Sequence, residues 1–210
     1  MTHIEFYLDF ISPYAYLAFE KLPEALRGLS YRVTHKPVLF AGLLKHHGQL
    51  GPAEIASKRD WTYRQVAWLA HTHGIALQLP ASHPFNPIGL LRLAVACDAA
   101  GEPSRYVCET IFRHVWHGGA DAADPQRLQA LTDRLAPPRS PQDAAVKAQL
   151  QAHGEQALAR GLFGVPSFVV DDKVFWGFDA LPMLADYLRG DPWFAAGWGL
   201  PARVAQGIRR

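Results

Sequence analysis

The chain has 210 residues, enough for one large domain or two small ones. Hydrophobic residues make up 49% and charged residues 19%, so a full core can form and wholesale disorder is excluded. The net charge is +2, from 21 Lys and Arg against 19 Asp and Glu. No basic stripe marks it for nucleic acid, and no apolar run reaches the roughly 18 residues of a membrane span. The first ten residues mix Glu5 and Asp9 into an alternating pattern, unlike the basic start and unbroken apolar stretch of a secretory signal. Cys97 and Cys108 are the only cysteines, too few for a disulfide framework or a Cys-rich zinc site. These features predict a soluble globular protein of a reduced compartment, the cytoplasm.

Residues 3–10 read as a strand, with Ile4, Phe6, Leu8 and Phe10 at period two. Ser12 then stands as an N-cap and Pro13 at the first position of a helix running from about Tyr14 to Leu26, ended by Gly28. Tyr31 to His35 reads as a second strand, parallel to the first if the helix is a crossover. After Gly42 the character changes. Residues 53–73, 87–100, 104–116, 125–135 and 142–160 favour helix, separated by Pro and Gly, with Asp124-Pro125 and Ser140-Pro141 as N-cap and first-turn pairs. Strand character returns at Ser167 to Val170; Asp171-Asp172 is a turn, and Lys173 to Trp176 pairs back as a hairpin. A last helix lies near Leu181 to Leu188, and Asp191 to Arg210 shows no clear period.

The order βαβ, helical block, ββα predicts an α/β fold: a thioredoxin-like domain from residues 1–43 and 155–190, an inserted all-helical domain at 44–154, and a tail at 191–210. The insertion would roof a cleft over the first unit.

Two junctions carry chemistry. Ser12 puts a hydroxyl at a helix start on the carboxyl edge of a parallel strand, where unpaired N–H groups and the helix dipole favour negative charge. It reads either as a plain cap or as a functional hydroxyl. Pro166 opens the late strand, as a residue without an N–H should. The Val165–Pro166 bond is either an ordinary trans bond or a cis bond that turns the Val165 N–H and C=O outward to another peptide. A thioredoxin-like fold brings both junctions together. Disulfide oxidoreductases carry Cys-x-x-Cys at that helix start; here it is Ser12-Pro13-Tyr14-Ala15, which excludes thiol–disulfide exchange there. A serine can still donate to a thiolate brought by a ligand, which suggests glutathione.

The segments FYLDFISPYAYLAFEKL, HKPVLFAGL, HPFNPIGLLRLAVA and EQALARGLFGVPSFVVDDKVFWGFDAL resemble the 2-hydroxychromene-2-carboxylate isomerases. These are glutathione-dependent relatives of kappa-class glutathione transferases and DsbA-like oxidoreductases. The resemblance runs from about Ile4 to Leu188. It implies a homodimer with glutathione as cofactor and a small aromatic carboxylate as substrate. Ser12 would orient the glutathione sulfur, Val165 would pair with the cysteinyl backbone beside a cis Pro166, and Asp179 would hold the glutamyl amino end. Gln49 falls in a glutathione-binding loop. This chain departs from the family at Phe178-Asp179-Ala180, where Asn-Asp-Arg is common, and at Gly48-Gln49-Leu50-Gly51-Pro52, where Gly-Asn-x-Pro-Pro is usual. The implied activity interconverts 2-hydroxychromene-2-carboxylate and trans-o-hydroxybenzylidenepyruvate, a step of aromatic catabolism, by reversible thiolate addition. Its rivals are a kappa-like transferase or peroxidase, and a non-catalytic glutathione-binding module.

Other residues have two readings. Lys36, after the second strand, is a substrate-carboxylate partner or a surface lysine, and His35 beside it is either functional or simple strand filler. Asn86 lines the substrate cleft or caps the following helix. His46-His47, His71 with His73, and His114 with His117 lack the carboxylates of a metal motif, so no metal site is expected and solvated helix faces are the better reading. Trp61, Trp68, Trp116 and Phe112 read as core, or as the wall of an aromatic pocket. Cys97 and Cys108 read as inert buried thiols.

Overall fold

The computed structural model describes residues 1–205 and 207; the rest of the expected tail lies outside the described residues. Four strands form one sheet in the order β2-β1-β3-β4. β1 (Thr2–Leu8) runs parallel to β2 (Tyr31–Pro37), with α1 (Pro13–Ala25) as the crossover between them. β3 (Ser167–Val170) pairs antiparallel with β1 and with β4 (Lys173–Trp176), giving the expected hairpin. This is the thioredoxin-like plan predicted from the element order.

The pleat divides the sheet's two faces. Ile4, Phe6, Leu8 and Phe168 face a large core shared with α1 and the helices that follow β2, while Tyr7 and Val169 face a smaller cluster with Val38, Leu43 and Leu162. Of the helices that follow β2, α3 (Ala56–Thr72), α4 (Ile88–Ala96), α5 (Arg105–Trp116), α6 (Pro125–Leu135) and α7 (Ala144–Ala159) contribute to the large core, while α2 (Phe40–His46) adds Leu43 to the smaller cluster. α8 (Leu181–Leu188) packs beside α1. The aperiodic tail contains α9 (Trp193–Ala196). Its Phe194 and Trp198 pack on Phe175, with ring centres 6.2 and 5.3 Å away. None of the described helices is long and apolar enough to cross a membrane.

α2 is absent from the sequence reading. It has seven residues, a central Gly42 and no capping side chain of its own. A distant group caps it instead: the Asp9 carboxylate accepts the N–H of Phe40 at 2.9 Å. Asp124 caps α6 as expected, accepting from Arg127 N. Ser140 does not start α7. It sits in a turn three residues earlier, and Asp143 takes the N-cap position. Phe112 and Trp116 are core, but Trp61 and Trp68 are 62% and 63% exposed, a correction to their core reading. α3 buries only Val66 and Ala70, so its helical spacing of aromatics does not report a buried face.

Candidate active site

Ser12 caps α1 with extended backbone, and its Oγ accepts the N–H of Ala15 at 3.2 Å. The side chain is 6% exposed. Its O–H has no acceptor among the described residues, and neither does the N–H of Tyr14. Pro13 at the first helical position has no N–H at all. One hydroxyl and one amide therefore remain as unused donors at the positive end of a 13-residue helix.

The loop before Ser12 is held from several sides. Asp9 is fully buried, and its carboxylate accepts from Ile11 N at 3.1 Å as well as from Phe40 N. Burial pushes its carboxyl up to about 7, against the opposing pull of these N–H donors. Trp116 Nε1 donates to the Phe10 carbonyl at 3.0 Å. His83 Nε2 meets the Ile11 carbonyl at 2.8 Å.

The second junction lies alongside. The Val165–Pro166 bond is cis. The β1–β3 register pairs Tyr7 with Ser167, so continuing it brings Val165 abreast of Asp9, three residues before Ser12. Neither the N–H nor the C=O of Val165 has a partner among the described residues. The Pro166 carbonyl accepts from Gly177 N at 2.9 Å, which ties the turn after β4 to this corner. In that turn Asp179 Oδ1 folds over Gly177, so close that a Cβ there would meet it at 2.4 Å; Gly177 also has φ +101. The Asp179 carboxylate is exposed and free of partners among the described residues. Its charge reaches Tyr14, whose phenol is raised first by burial and then by Asp179.

Ser12, Val165 and Asp179 are thus brought to one end of the sheet. The other predicted residues have separate engagements. Lys36 is opposite Tyr7 in the β1–β2 register, on the face away from α1, and its amine is ion-paired with Glu102 at 2.6 Å. Asn86 Oδ1 accepts from Ile88 N at 3.1 Å, the capping role. Gln49 is exposed in the loop after α2, where its backbone N–H returns to Leu44 O. His114 and His117 are half-buried rather than freely solvated: His114 Nε2 bonds the Ala122 carbonyl and His117 Nε2 bonds the Tyr16 hydroxyl. Cys108 is buried as expected, whereas Cys97 is only half-buried; burial pushes the Cys97 thiol up to about 11 and Cys108 higher still, which disfavours the thiolate at both. A pocket of about 330 Å³ lies against Tyr31, Val33 and Arg105 and shares no residue with the Ser12 corner.

Sequence reasoning missed Asp9, His83, Tyr63 and Trp116 as supports of the corner. The signal for Asp9 was a carboxylate inside a hydrophobic strand end. For His83 it was a position inside His-Pro-Phe-Asn-Pro, whose prolines restrict the loop that carries it; the His83–Pro84 bond is also cis.

A model of the DSBA-like thioredoxin domain matches residues 3–189, the class that the sheet order and the helix-start corner define. Among curated proteins, the 2-hydroxychromene-2-carboxylate isomerase of Sphingobium xenophagum is 30% identical over 196 residues, covering 88% of this chain and 97% of its own. Glutathione s-transferase kappa 2 of Caenorhabditis elegans is 26% identical over 207 residues, covering 88% and 91%. A solved 2-hydroxychromene-2-carboxylate isomerase shares the fold with a TM-score of 0.77 at 24% identity, over 93% of this chain and 98% of that one. The chain belongs to the 2-hydroxychromene-2-carboxylate isomerase family, a family of enzymes within the DsbA-like thioredoxin proteins.

Proposed function

We propose that this protein is a glutathione-dependent isomerase that interconverts 2-hydroxychromene-2-carboxylate and trans-o-hydroxybenzylidenepyruvate, working as a cytoplasmic homodimer. The observation that carries the reading is a free serine hydroxyl at a helix start beside the unpaired backbone of Val165. Glutathione fits this corner. Val165 offers one donor and one acceptor, the pattern an antiparallel peptide needs. Asp179 offers a carboxylate for an amino group, and the chain's own thiols, Cys97 at the end of α4 and Cys108 on α5, are not among the residues of this corner.

Bound at this corner, glutathione would supply a nucleophilic thiolate able to add to an unsaturated carbon, so that the former double bond could rotate, and then to depart unchanged. The chain's part is to hold that sulfur ionised and aimed. Ser12 can donate its O–H while its oxygen stays fixed by Ala15 N, and Tyr14 N–H supplies a second donor. A free thiol has a pKa of about 8.5. Hydrogen bonds to a charged group are worth about 1.5–3 kcal/mol, enough to lower that value by roughly one to two pH units. Val165 and Asp179 fix the peptide, and Gln49 borders it. On the substrate side, Lys36 would have to exchange Glu102 for a substrate carboxylate, and Asn86 would have to release Ile88 N.

The test is turnover of 2-hydroxychromene-2-carboxylate at neutral pH with and without glutathione, with total glutathione measured afterwards. The reading predicts no turnover without glutathione and no loss of it over many turnovers. Consumption of one glutathione per turnover would instead favour the kappa-like transferase, and binding without turnover the non-catalytic module.

A further inference from the structure

We propose that His83 is a positioning residue for Ser12: it fixes the peptide plane that carries the serine, from a loop of the helical segment. The inference rests on the reading of Ser12 as the thiolate's partner. The Ile11–Ser12 peptide is held at both ends. Its N–H, on Ser12, donates to the Asp9 carbonyl at 3.0 Å, and its C=O, on Ile11, receives His83 Nε2 at 2.8 Å. A carbonyl only accepts, so Nε2 carries the proton and Nδ1 is left as the acceptor of a neutral ring. The Tyr63 hydroxyl lies 2.8 Å from Nδ1 and 3.2 Å from the His83 carbonyl, and donation of its proton to the nearer Nδ1 matches that tautomer. Burial keeps the ring below the usual histidine pKa, which favours the same neutral form. The ring is braced by Trp116, with centres 5.6 Å apart, and Trp116 itself donates to Phe10 O.

The consequence is directional. A peptide plane fixed at both ends cannot rotate, and the Cα of Ser12 is fixed with it. The hydroxyl is then preorganised where the sulfur will sit, and it need not be drawn into place as charge develops. Without the His83 bond, the Ile11 carbonyl loses its partner and the plane is pinned by Asp9 alone. Small misplacements of a reacting group cost rate out of proportion to the bond that was lost. Tyr63 acts one step further out, by holding the ring.

The experiment compares His83→Leu, His83→Gln and Tyr63→Phe with the wild type. Two quantities are read on the full chain: the pH titration of bound glutathione's thiolate absorbance, and kcat with KM for glutathione at neutral pH. His83→Leu keeps bulk and removes the donor. It should raise the thiol pKa by about half to one pH unit and lower kcat at neutral pH roughly tenfold, with KM within about twofold. His83→Gln restores an N–H at the Nε2 reach and should recover most of both. Tyr63→Phe should move both in the same direction, by about threefold in kcat, and it keeps the idea testable if His83→Leu fails to fold. Wild-type titration and kcat in either His83→Leu or Tyr63→Phe, with glutathione bound, would overturn the inference and leave the role of Ser12 intact. A wild type that binds no glutathione would overturn the function reading itself, and the inference with it.

Discussion

Two corners meet at the carboxyl end of β1 and treat their backbone in opposite ways. Between Asp9 and Ser12, the main-chain groups are committed: Ile11 N–H to the Asp9 carboxylate, Phe10 C=O to Trp116, Ile11 C=O to His83, Ser12 N–H to Asp9 O. At Val165 the N–H and C=O are both open among the described residues, although the residue is only 7% exposed. Buried backbone groups nearly always find partners, so the open pair marks a place where another backbone belongs. The contrast separates two tasks. In the proposed function, the committed corner would fix one donor in space and the open corner would receive a peptide by strand-like pairing. Rate should therefore depend on the first and affinity on the second.

Asp9 offers the largest lever on this contrast, because it clamps both Ile11 and the start of α2. Its carboxyl titrates at about 7 in the fold and about 3.9 in the unfolded chain. A carboxyl raised on folding is protonated in the fold where the unfolded chain is already ionised. The wild type therefore loses this stability as pH climbs from about 4 to about 7, and loses no more above that. Asp9→Asn does not titrate. Urea melts from pH 4.5 to 8.5 should show the stability difference moving in the variant's favour by roughly 3 kcal/mol up to about pH 7 and levelling off above it. A difference that stays constant with pH would place the proton elsewhere.

Ser12→Ala comes next. It should cut turnover at neutral pH by about 10- to 100-fold and change glutathione affinity far less, because the peptide is held elsewhere. The open corner is tested from the ligand side: glutathione methylated at its cysteinyl nitrogen cannot donate to the Val165 carbonyl. Calorimetry should show it binding about tenfold more weakly, with kcat at saturation little changed. The smallest effect is expected at Asp179, which is exposed and screened by solvent. Asp179→Asn should weaken binding about threefold at low salt and less at high salt, with kcat unaltered. A loss concentrated in kcat would break the division between the corners.

Much of this arrangement was legible in local sequence. Ser12-Pro13 announces a helix start, Pro166 announces a strand start, period-two patterning gives β1, and β-prone residues either side of the Asp171-Asp172 turn give the hairpin. These signals work because capping and pleat are decided within a few residues. The supports of the Ser12 loop were not legible for the opposite reason. Asp9 reaches Phe40, 31 residues on, and His83 reaches Ile11 across 72. Trp116 reaches Phe10 across 106. No local period encodes such contacts. α2 was missed because its cap comes from Asp9, in the loop after β1, and Trp61 and Trp68 misled because helical spacing does not say which face is buried. Lys36 shows the converse: its place at a strand end was foreseen, but its pairing with Glu102 depends on a loop 66 residues away.

The central claim is that the Ser12 hydroxyl, fixed at the start of α1, stabilises a thiolate laid along Val165. It is tested most directly by thiolate absorbance of bound glutathione, titrated with pH in the wild type and in Ser12→Ala. The account predicts a wild-type thiol pKa about one to two pH units below the free value of about 8.5, and a value in the variant returned most of the way to it. Superimposable titration curves with equal turnover would contradict the account and leave Ser12 as a helix cap alone.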